Sequence, residues 1–310
     1  MVESQFLKDV KAALQDPKAK PKEKPKTDID AVAGPKKAES PTLPPPALAA
    51  KPESASPSPL ALVERGRKFQ PPRILLYGID GIGKSEWASQ ASKPIFIQTE
   101  DGLGEIDCEK FPLARSFPEI IEQLDSVTVG KHDYETVVLD SLDWLERIIW
   151  ENVCRRSNVV NIEKAGGGFA KGYNFALDEW REVLGLLDKC RARGMVVILI
   201  AHSKIERFED PENPAYDRYS PRLHKHAEAL VREWVDATFF ATRRLAIRKE
   251  GAGFNERGVA IPVGTDGGER IIRTTGGPSC VAKTRYELPA ELPMPKGQGW
   301  NVFVSNLKGA

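Results

Sequence analysis

Residues Gly78-Ile-Asp-Gly-Ile-Gly-Lys-Ser85 carry the pattern G-x-x-x-x-G-K-[ST]. That spacing suits one kind of chemistry, the cradling of a nucleotide's phosphates in a P-loop. Glycines let the backbone wrap an anion where a Cβ would block the approach. Backbone N–H groups at the start of the following helix then face the anion. Lys84 supplies a point charge for the β- and γ-phosphates, and Ser85 a hydroxyl for Mg²⁺. Gly78, Gly81, Ile82, Gly83, Lys84, Ser85 and Glu86 are the candidate nucleotide contacts. The motif needs a strand before it and a helix after it. Arg73-Ile-Leu-Leu-Tyr77 reads as a short buried strand, and Glu86-Trp-Ala-Ser-Gln-Ala91 continues as a helix.

Phosphoryl transfer also needs a carboxylate near the cation and a group that orients the attacking water. Thr136-Val-Val-Leu-Asp-Ser141 is an apolar strand closed by an acid, the Walker B pattern. It assigns Asp140 to Mg²⁺, with Ser141 beside it. Asp143, at the start of the next helix, is expected to do no more than favour the helix dipole.

The elements that must position these groups show in the apolar runs. Ile95–Ile97, Thr136–Leu139, Met195–Ile200 and Ala237–Phe240 read as buried strands. Helical stretches fall at about 117–127, 141–155, 173–192 and 222–233. Alternation of this kind predicts an α/β fold, a mostly parallel central sheet flanked by helices. After residue 240, Leu245–Lys249, Glu269–Arg273 and Cys280–Lys283 are short candidate strands between Gly-rich turns. They predict an antiparallel C-terminal extension of that sheet.

Composition sets the remaining bounds. Lys and Arg together number 45 against 44 Asp and Glu, so bulk charge announces no nucleic-acid partner, and any such partner must meet a local patch. The four cysteines, Cys108, Cys154, Cys190 and Cys280, form no C-x-x-C pair, which argues against a zinc site and a disulfide framework. No apolar run reaches membrane-span length and the N-terminus has no signal-peptide core, so a cytoplasmic location is expected. Residues 1–60 hold 11 of the 24 prolines and only one aromatic, Phe6. Such a segment cannot offset its ordering entropy by burial, so residues 1–65 are expected to be a disordered tail and 66–310 the folded domain. Phe6, Val10, Ala13 and Leu14 share a helical face that would suit docking to a protein partner, although a frayed helical end is the simpler expectation.

From about residue 73 to 290, some two-thirds of the chain, the sequence resembles the RecA-core ATPases of phages and prophages, the Sak-type single-strand annealing and recombination group. The phrases that carry the resemblance are Thr99-Glu-Asp-Gly-Leu103, Asp140-Ser-Leu-Asp-Trp-Leu145, Glu163-Lys-Ala-Gly-Gly-Gly168, Ala201-His-Ser203, Arg207-Phe-Glu-Asp210 and Ala282-Lys-Thr-Arg-Tyr-Glu-Leu-Pro289. The resemblance implies a RecA-like P-loop ATPase using ATP and Mg²⁺. It places Glu100, at the end of the strand after the P-loop helix, as the residue that polarises water. His202 takes the place of a γ-phosphate sensor that is Gln in RecA. Lys283 and Arg285 match the Lys-x-Arg pair that ring-forming relatives extend to a neighbouring subunit's γ-phosphate, with both side chains on one face of a strand.

RecA-type proteins bind DNA through two loops. In this chain the first slot is Glu163–Tyr173, where Lys164 and Lys171 offer phosphate contacts and Phe169 and Tyr173 offer stacking surfaces. The second begins at Lys204 and runs to Arg222, expected as a loop that mixes Lys204, Arg207, Arg218 and Arg222 with Phe208 and Tyr219. Glu206, Glu209 and Asp210 dilute its charge, and a protein grip or a subunit contact is the alternative for both loops. His224-Lys-His226 has no further ligand at zinc spacing and is expected on a helix surface.

The reading is a Mg²⁺-dependent ATPase, assembled as a homo-oligomeric ring or filament on single-stranded DNA, in a core-only form. A hexameric helicase or translocase shares every nucleotide residue named. A nucleotide-gated interaction protein with the tail as recruiting arm is a further alternative. A phosphotransferase is disfavoured, because no lid-like arginine cluster is present.

Overall fold

Strand β1 (Arg73–Gly78) runs Ile-Leu-Leu-Tyr after Arg73, and every side chain from Ile74 to Tyr77 is buried. That run fits a parallel strand covered on both faces. In the computed structural model, which describes residues 63, 65, 66, 70–250, 257–264 and 268–308, β1 lies at the centre of the main sheet. The tail expected at 1–65, apart from Val63 and Arg65, lies outside the described residues.

After β1 come α1 (Lys84–Ser89), β2 (Pro94–Gln98), β3 (Glu109–Lys110), α2 (Phe117–Val129), β4 (Thr136–Asp140) and α3 (Leu142–Arg156). A short 3₁₀ turn (Ile162–Gly167) leads to α4 (Lys171–Ala192), β5 (Val196–Phe208), β6 (Tyr216–Pro221), α5 (Lys225–Trp234) and β7 (Ala237–Arg243). The last elements are β8 (Leu245–Glu250), β9 (Arg257–Pro262), β10 (Arg270–Arg273), β11 (Lys283–Thr284), β12 (Glu291–Pro293) and α6 (Gly299–Lys308).

The sheet order is β12-β10-β7-β1-β5-β4-β2-β3, parallel from β7 to β3 and antiparallel where β10 and β12 join. Side chains alternate across it. Leu75 and Tyr77 enter the layer built with α2, α3, α4 and α5, while Ile74 and Leu76 enter the layer of α1 and α6. The expected α/β architecture with a mostly parallel sheet and antiparallel C-terminal strands is what the fold shows.

Four local expectations are corrected. The strand foreseen at 195–200 continues to Phe208 and turns back as β6, so the supposed loop from Lys204 to Arg222 is largely a β-hairpin. Cross-strand pairing explains it: Glu206 lies opposite Arg218, Arg207 opposite Asp217 and Phe208 opposite Tyr216. Leu245–Lys249 does not extend the main sheet, because β8 pairs with β9 in a separate ribbon. The strand foreseen at Cys280–Lys283 is β11, Lys283–Thr284, so Arg285 lies in a bend and not in the strand. Cys280 makes only isolated bridges, to Tyr219 and Gly277.

Helix α6, which sequence reasoning did not single out, braces the P-loop helix. Trp300 meets Trp87 edge-on with ring centroids 4.8 Å apart, and Phe303 packs on both rings. The backbone N–H groups of Gly297 and Trp300 donate to Glu86 Oε1 and Gln90 Oε1. Trp300→Ala is therefore expected to destabilise the fold by about 3–5 kcal/mol, the usual cost of deleting a buried indole. Denaturant unfolding of the full chain checks this. Loss of under about 1 kcal/mol would show that α6 is not a brace.

Candidate active site

Sheet register, more than sequence proximity, assembles the site. Gly78 pairs with His202, Gln98 with Asp140, and Asp140 with Ile200, so the carboxyl ends of β1, β2 and β4 and the middle of β5 share one rim. In open parallel sheets that rim is where ligands bind. A cleft of ≈ 290 Å³ opens there, lined by residues that include Gly81, Gly83, Lys84, Ser85, Glu86, Glu100, Asp140 and His202.

The P-loop geometry follows from its glycines at two positions. A Cβ on Gly78 would lie 2.3 Å from the carbonyl oxygen of Ala241, so only glycine lets β1 approach β7 there. Gly83 has φ +95°, and a Cβ would also strike the Arg270 guanidinium at 2.4 Å. Arg270, unremarked in the sequence, donates through Nη1 to Ile82 O (3.3 Å) and to Glu86 Oε2 (2.9 Å), fastening β10 to the loop. The only trace of it was a cation in the candidate strand 269–273.

Lys84 is buried, and its Nζ donates to the carbonyls of Gly78 (3.3 Å) and Ile79 (3.1 Å). Burial lowers its pKa, against the opposing pull of Asp140, Asp80, Asp143 and Glu100. Ser85 Oγ donates to Asp140 Oδ2 at 2.5 Å. Burial raises the Asp140 carboxyl to about 6, the Ser85 hydrogen bond works the other way, and Glu100 adds to the rise. Two hard oxygen donors so close beside a phosphate loop fit a magnesium ion, whose charge would repay the burial of Asp140. Ser85 and Asp140 are thus the residues that would hold Mg²⁺.

Glu100 also reaches the cleft. Its Oε2 accepts from Ser141 Oγ at 2.9 Å and lies 3.8 Å from His202 Nδ1. The Asp140–Ser141 peptide is cis. Thr99 fixes this junction, since its Oγ1 donates to Ser141 O (2.7 Å) and accepts from Ser141 N–H (2.9 Å). Asp143 does more than complement a helix dipole. It is buried, and its carboxylate accepts from His202 and Arg222. Burial works to raise its pKa, but the hydrogen bonds from His202 and Arg222 outweigh that and hold the carboxyl below its usual range.

Lys283 and Arg285 stand apart from this cleft. Lys283 pairs with Thr238 and Thr284 with Ala237, at the end of β7 that neighbours Ile74 and Leu75 and not Gly78. Arg285 Nη1 donates to Asp236 Oδ1 at 3.1 Å, and the same carboxylate also takes Arg73 and Arg191.

The two candidate DNA segments differ. In the first, Gly166, Gly167, Gly168, Phe169 and Ala170 all have positive φ, and Phe169 is 94% exposed between exposed Lys164 and Lys171. Tyr173, expected as a stacking surface for bases, already stacks on His224 with centroids 4.1 Å apart and meets Trp150 edge-on. His224 accordingly is not a free surface histidine: it occupies the residue before α5, its ring is stacked on Tyr173, and its backbone N–H donates to Glu146. In the hairpin the cations have carboxylate partners. Arg218 pairs with Glu206 and lies over the Phe208 ring, Arg207 pairs with Asp217, and Lys204 donates to Leu223 O between Glu206 and Glu228.

Comparison with known proteins adds three kinds of likeness. A Bacillus subtilis (strain 168) protein described as SPbeta prophage-derived uncharacterized protein YorG is 26% identical over 154 residues, covering 48% of this chain and 45% of that one. The chain thus spans less than half the length of this curated relative. Among solved structures, the RadB recombinase matches with TM-score 0.39 and 13% identity over 74% of this chain and 90% of its own. The KaiC-like protein PH0186 from Pyrococcus horikoshii OT3 matches with TM-score 0.36 and 11% identity, over 74% and 88%. The flagellar accessory protein FlaH from Methanocaldococcus jannaschii gives 0.34 and 9%, over 73% and 85%. No helix among the described residues is long and apolar enough to cross a membrane. The family model described as AAA domain (AAA_24) matches residues 70–286, from just before β1 to just after β11. That span exceeds two-thirds of the sequence and holds the whole cleft, so the chain belongs to the AAA domain family and is a P-loop ATPase.

Proposed function

We propose that the protein hydrolyses ATP with Mg²⁺ while assembled as a ring or filament on single-stranded DNA, in recombination or annealing of the phage type. Lys84 and the loop N–H groups hold the triphosphate, Ser85 and Asp140 hold the cation, and Glu100 polarises the attacking water. His202 meets the γ-phosphate. Magnesium, when bound, neutralises charge on the transferring phosphoryl group. Lys84 is the one Lys or Arg among the residues named for the cleft, and Lys283 or Arg285 of a neighbouring copy would add a permanent positive charge.

The observation that carries the DNA reading is the ring of Phe169, held out on a glycine-rich turn between two exposed lysines. Stacking of a base on an exposed aromatic suits sequence-tolerant single-strand binding, and the lysines suit its phosphates. Likeness to a prophage-derived protein agrees with the phage setting. The hairpin cations Lys204, Arg207 and Arg218 would join only by exchanging their carboxylate partners for phosphates, so the first segment is the stronger contact.

The test is ATP turnover with and without single-stranded DNA, on wild type and Phe169→Ala. Single-stranded DNA is expected to stimulate wild type, and the substitution to weaken DNA binding by about 1–3 kcal/mol. Turnover that ignores DNA removes the main support. Unwinding of a forked duplex, without annealing, would instead favour a helicase.

A further inference from the structure

We propose that Asp143 is a positioning residue for His202: its carboxylate accepts a hydrogen bond from Nδ1–H, fixes the ring, and leaves Nε2 as the atom turned to the P-loop. This inference rests on the reading of His202 as the residue that meets the γ-phosphate.

The geometry is specific. Both Asp143 oxygens lie 3.1 Å from His202 Nδ1, and Oδ1 also accepts the His202 backbone N–H at 3.1 Å. Arg222 donates through Nη2 to Asp143 Oδ2 at 2.7 Å and through its backbone N–H to His202 O at 2.8 Å. His202 is therefore held at its N–H, its carbonyl and its ring by two residues that also hold each other. On the other side of the ring, Nε2 lies 3.7 Å from Oδ1 of Asp80, a P-loop residue.

Chemistry then fixes the proton on Nδ1. That nitrogen faces only carboxylates, Asp143 at 3.1 Å and Glu100 at 3.8 Å, and a lone pair there would oppose lone pairs. A phosphate oxygen arriving at Nε2 needs a proton there too, so the ring that grips it is an imidazolium. The buried Asp143 carboxylate supplies the balancing negative charge, as the orienting acid does for histidine in hydrolytic triads. Glu100, Asp143 and His202 also offer three ligand atoms within 4.8 Å of one another. A guanidinium on Asp143 and a proton on Nδ1 both oppose a metal there, so Asp143 and His202 form a hydrogen-bonded pair with Glu100 alongside.

The experiment uses the full chain with Mg²⁺ and compares wild type, D143N, H202N, the double variant and R222A. D143N and H202N are each expected to lower kcat on the order of 10–100-fold, with KM for ATP within about three-fold. The double variant should be no worse than H202N, because Asp143 acts through the ring. R222A should lose less than D143N. Ring ¹⁵N spectra of wild type should show Nδ1 protonated, and both nitrogens protonated with the non-hydrolysable analogue adenylyl-imidodiphosphate and Mg²⁺. Full activity of D143N beside an impaired H202N overturns the proposal, as do losses that multiply in the double variant. An R222A defect equal to that of D143N overturns it too, by making Asp143 an anchor for the hairpin alone. Full activity of H202N instead sinks the parent reading of His202. If D143N fails to fold, the wild-type spectra decide: a ring protonated on Nε2 with Nδ1 bare overturns the proposal.

Discussion

Replacing Lys84 by alanine is expected to lower ATP turnover by about 10²–10³-fold, the usual cost of removing one pre-aimed donor from a site of developing charge. The Lys84 ammonium is buried at the cleft floor and already tied to the carbonyls of Gly78 and Ile79. Its position is thus set before any triphosphate enters, and little reorganisation remains to be done. The fold should survive, since the alanine leaves two loop carbonyls short of one donor each at about 1 kcal/mol apiece. Lys84→Arg should not restore turnover, because the planar fork does not fit where a point charge sat against two carbonyls. Phosphate release by Lys84→Ala, with a thermal melt to confirm folding, is the measurement. Turnover within about three-fold of wild type would mean that this cleft is not where hydrolysis occurs.

Much of the architecture that places Lys84 was legible in the sequence, for a physical reason. Strands β1 and β4 and the first half of β5, Val196–Ala201, are buried on both faces, so they appear as apolar runs, and the residues that end β1 and β4, Gly78 and Asp140, mark the rim. Polar elements were harder. From Ser203 onward β5 is half-exposed and mixes Lys204, Glu206 and Arg207 with Ile205 and Phe208, a pattern shared by hairpins and solvated loops. Only the register against β6 distinguishes the two. Asp143 was legible as a residue and not as a role, since its value depends on His202 and Arg222, distant by 59 and 79 positions. Arg270 and the α6 brace escaped for the same reason. Their function is contact with the P-loop helix, and no local spacing encodes a contact made 184 to 211 residues away.

The proposed contribution of a neighbouring copy starts from the same sheet geometry. Lys283 and Arg285 belong to the far end of β7 from the P-loop, where Asp236 shares one carboxylate among Arg73, Arg191 and Arg285. Three guanidinium groups on one acid leave an excess of positive charge, and Arg285 remains 59% exposed. A surplus cation of that kind is available to an anion from another molecule, and a neighbour's triphosphate has the matching charge. The proposal of catalysis across a subunit boundary therefore rests on two observations, a cleft whose lining sets Glu86, Glu100 and Asp140 against the single lysine Lys84, and a cation-rich patch out of its reach.

Glu100→Gln should separate ATP binding from ATP cleavage. The Glu100 carboxylate accepts from Ser141 Oγ at 2.9 Å and faces the cleft at the end of β2. Glutamine preserves the length and can keep that hydrogen bond through its amide oxygen, so the local structure has no cause to change. What it loses is the negative charge that polarises water and the lone pair that accepts its proton. A positioned general base is worth about 10²–10⁴-fold. Turnover should fall by that factor while ATP affinity stays within about five-fold, because Lys84, Ser85 and the loop N–H groups are untouched. The variant would then hold ATP without spending it, and any assembly that requires bound ATP should persist for far longer than in wild type. Single-turnover kinetics and equilibrium binding of ATP on the same preparation provide the check. Binding lost together with turnover would assign Glu100 to holding the nucleotide. Normal turnover would remove it from catalysis and send the search for a base to Asp80, whose Oδ1 lies 3.7 Å from His202 Nε2.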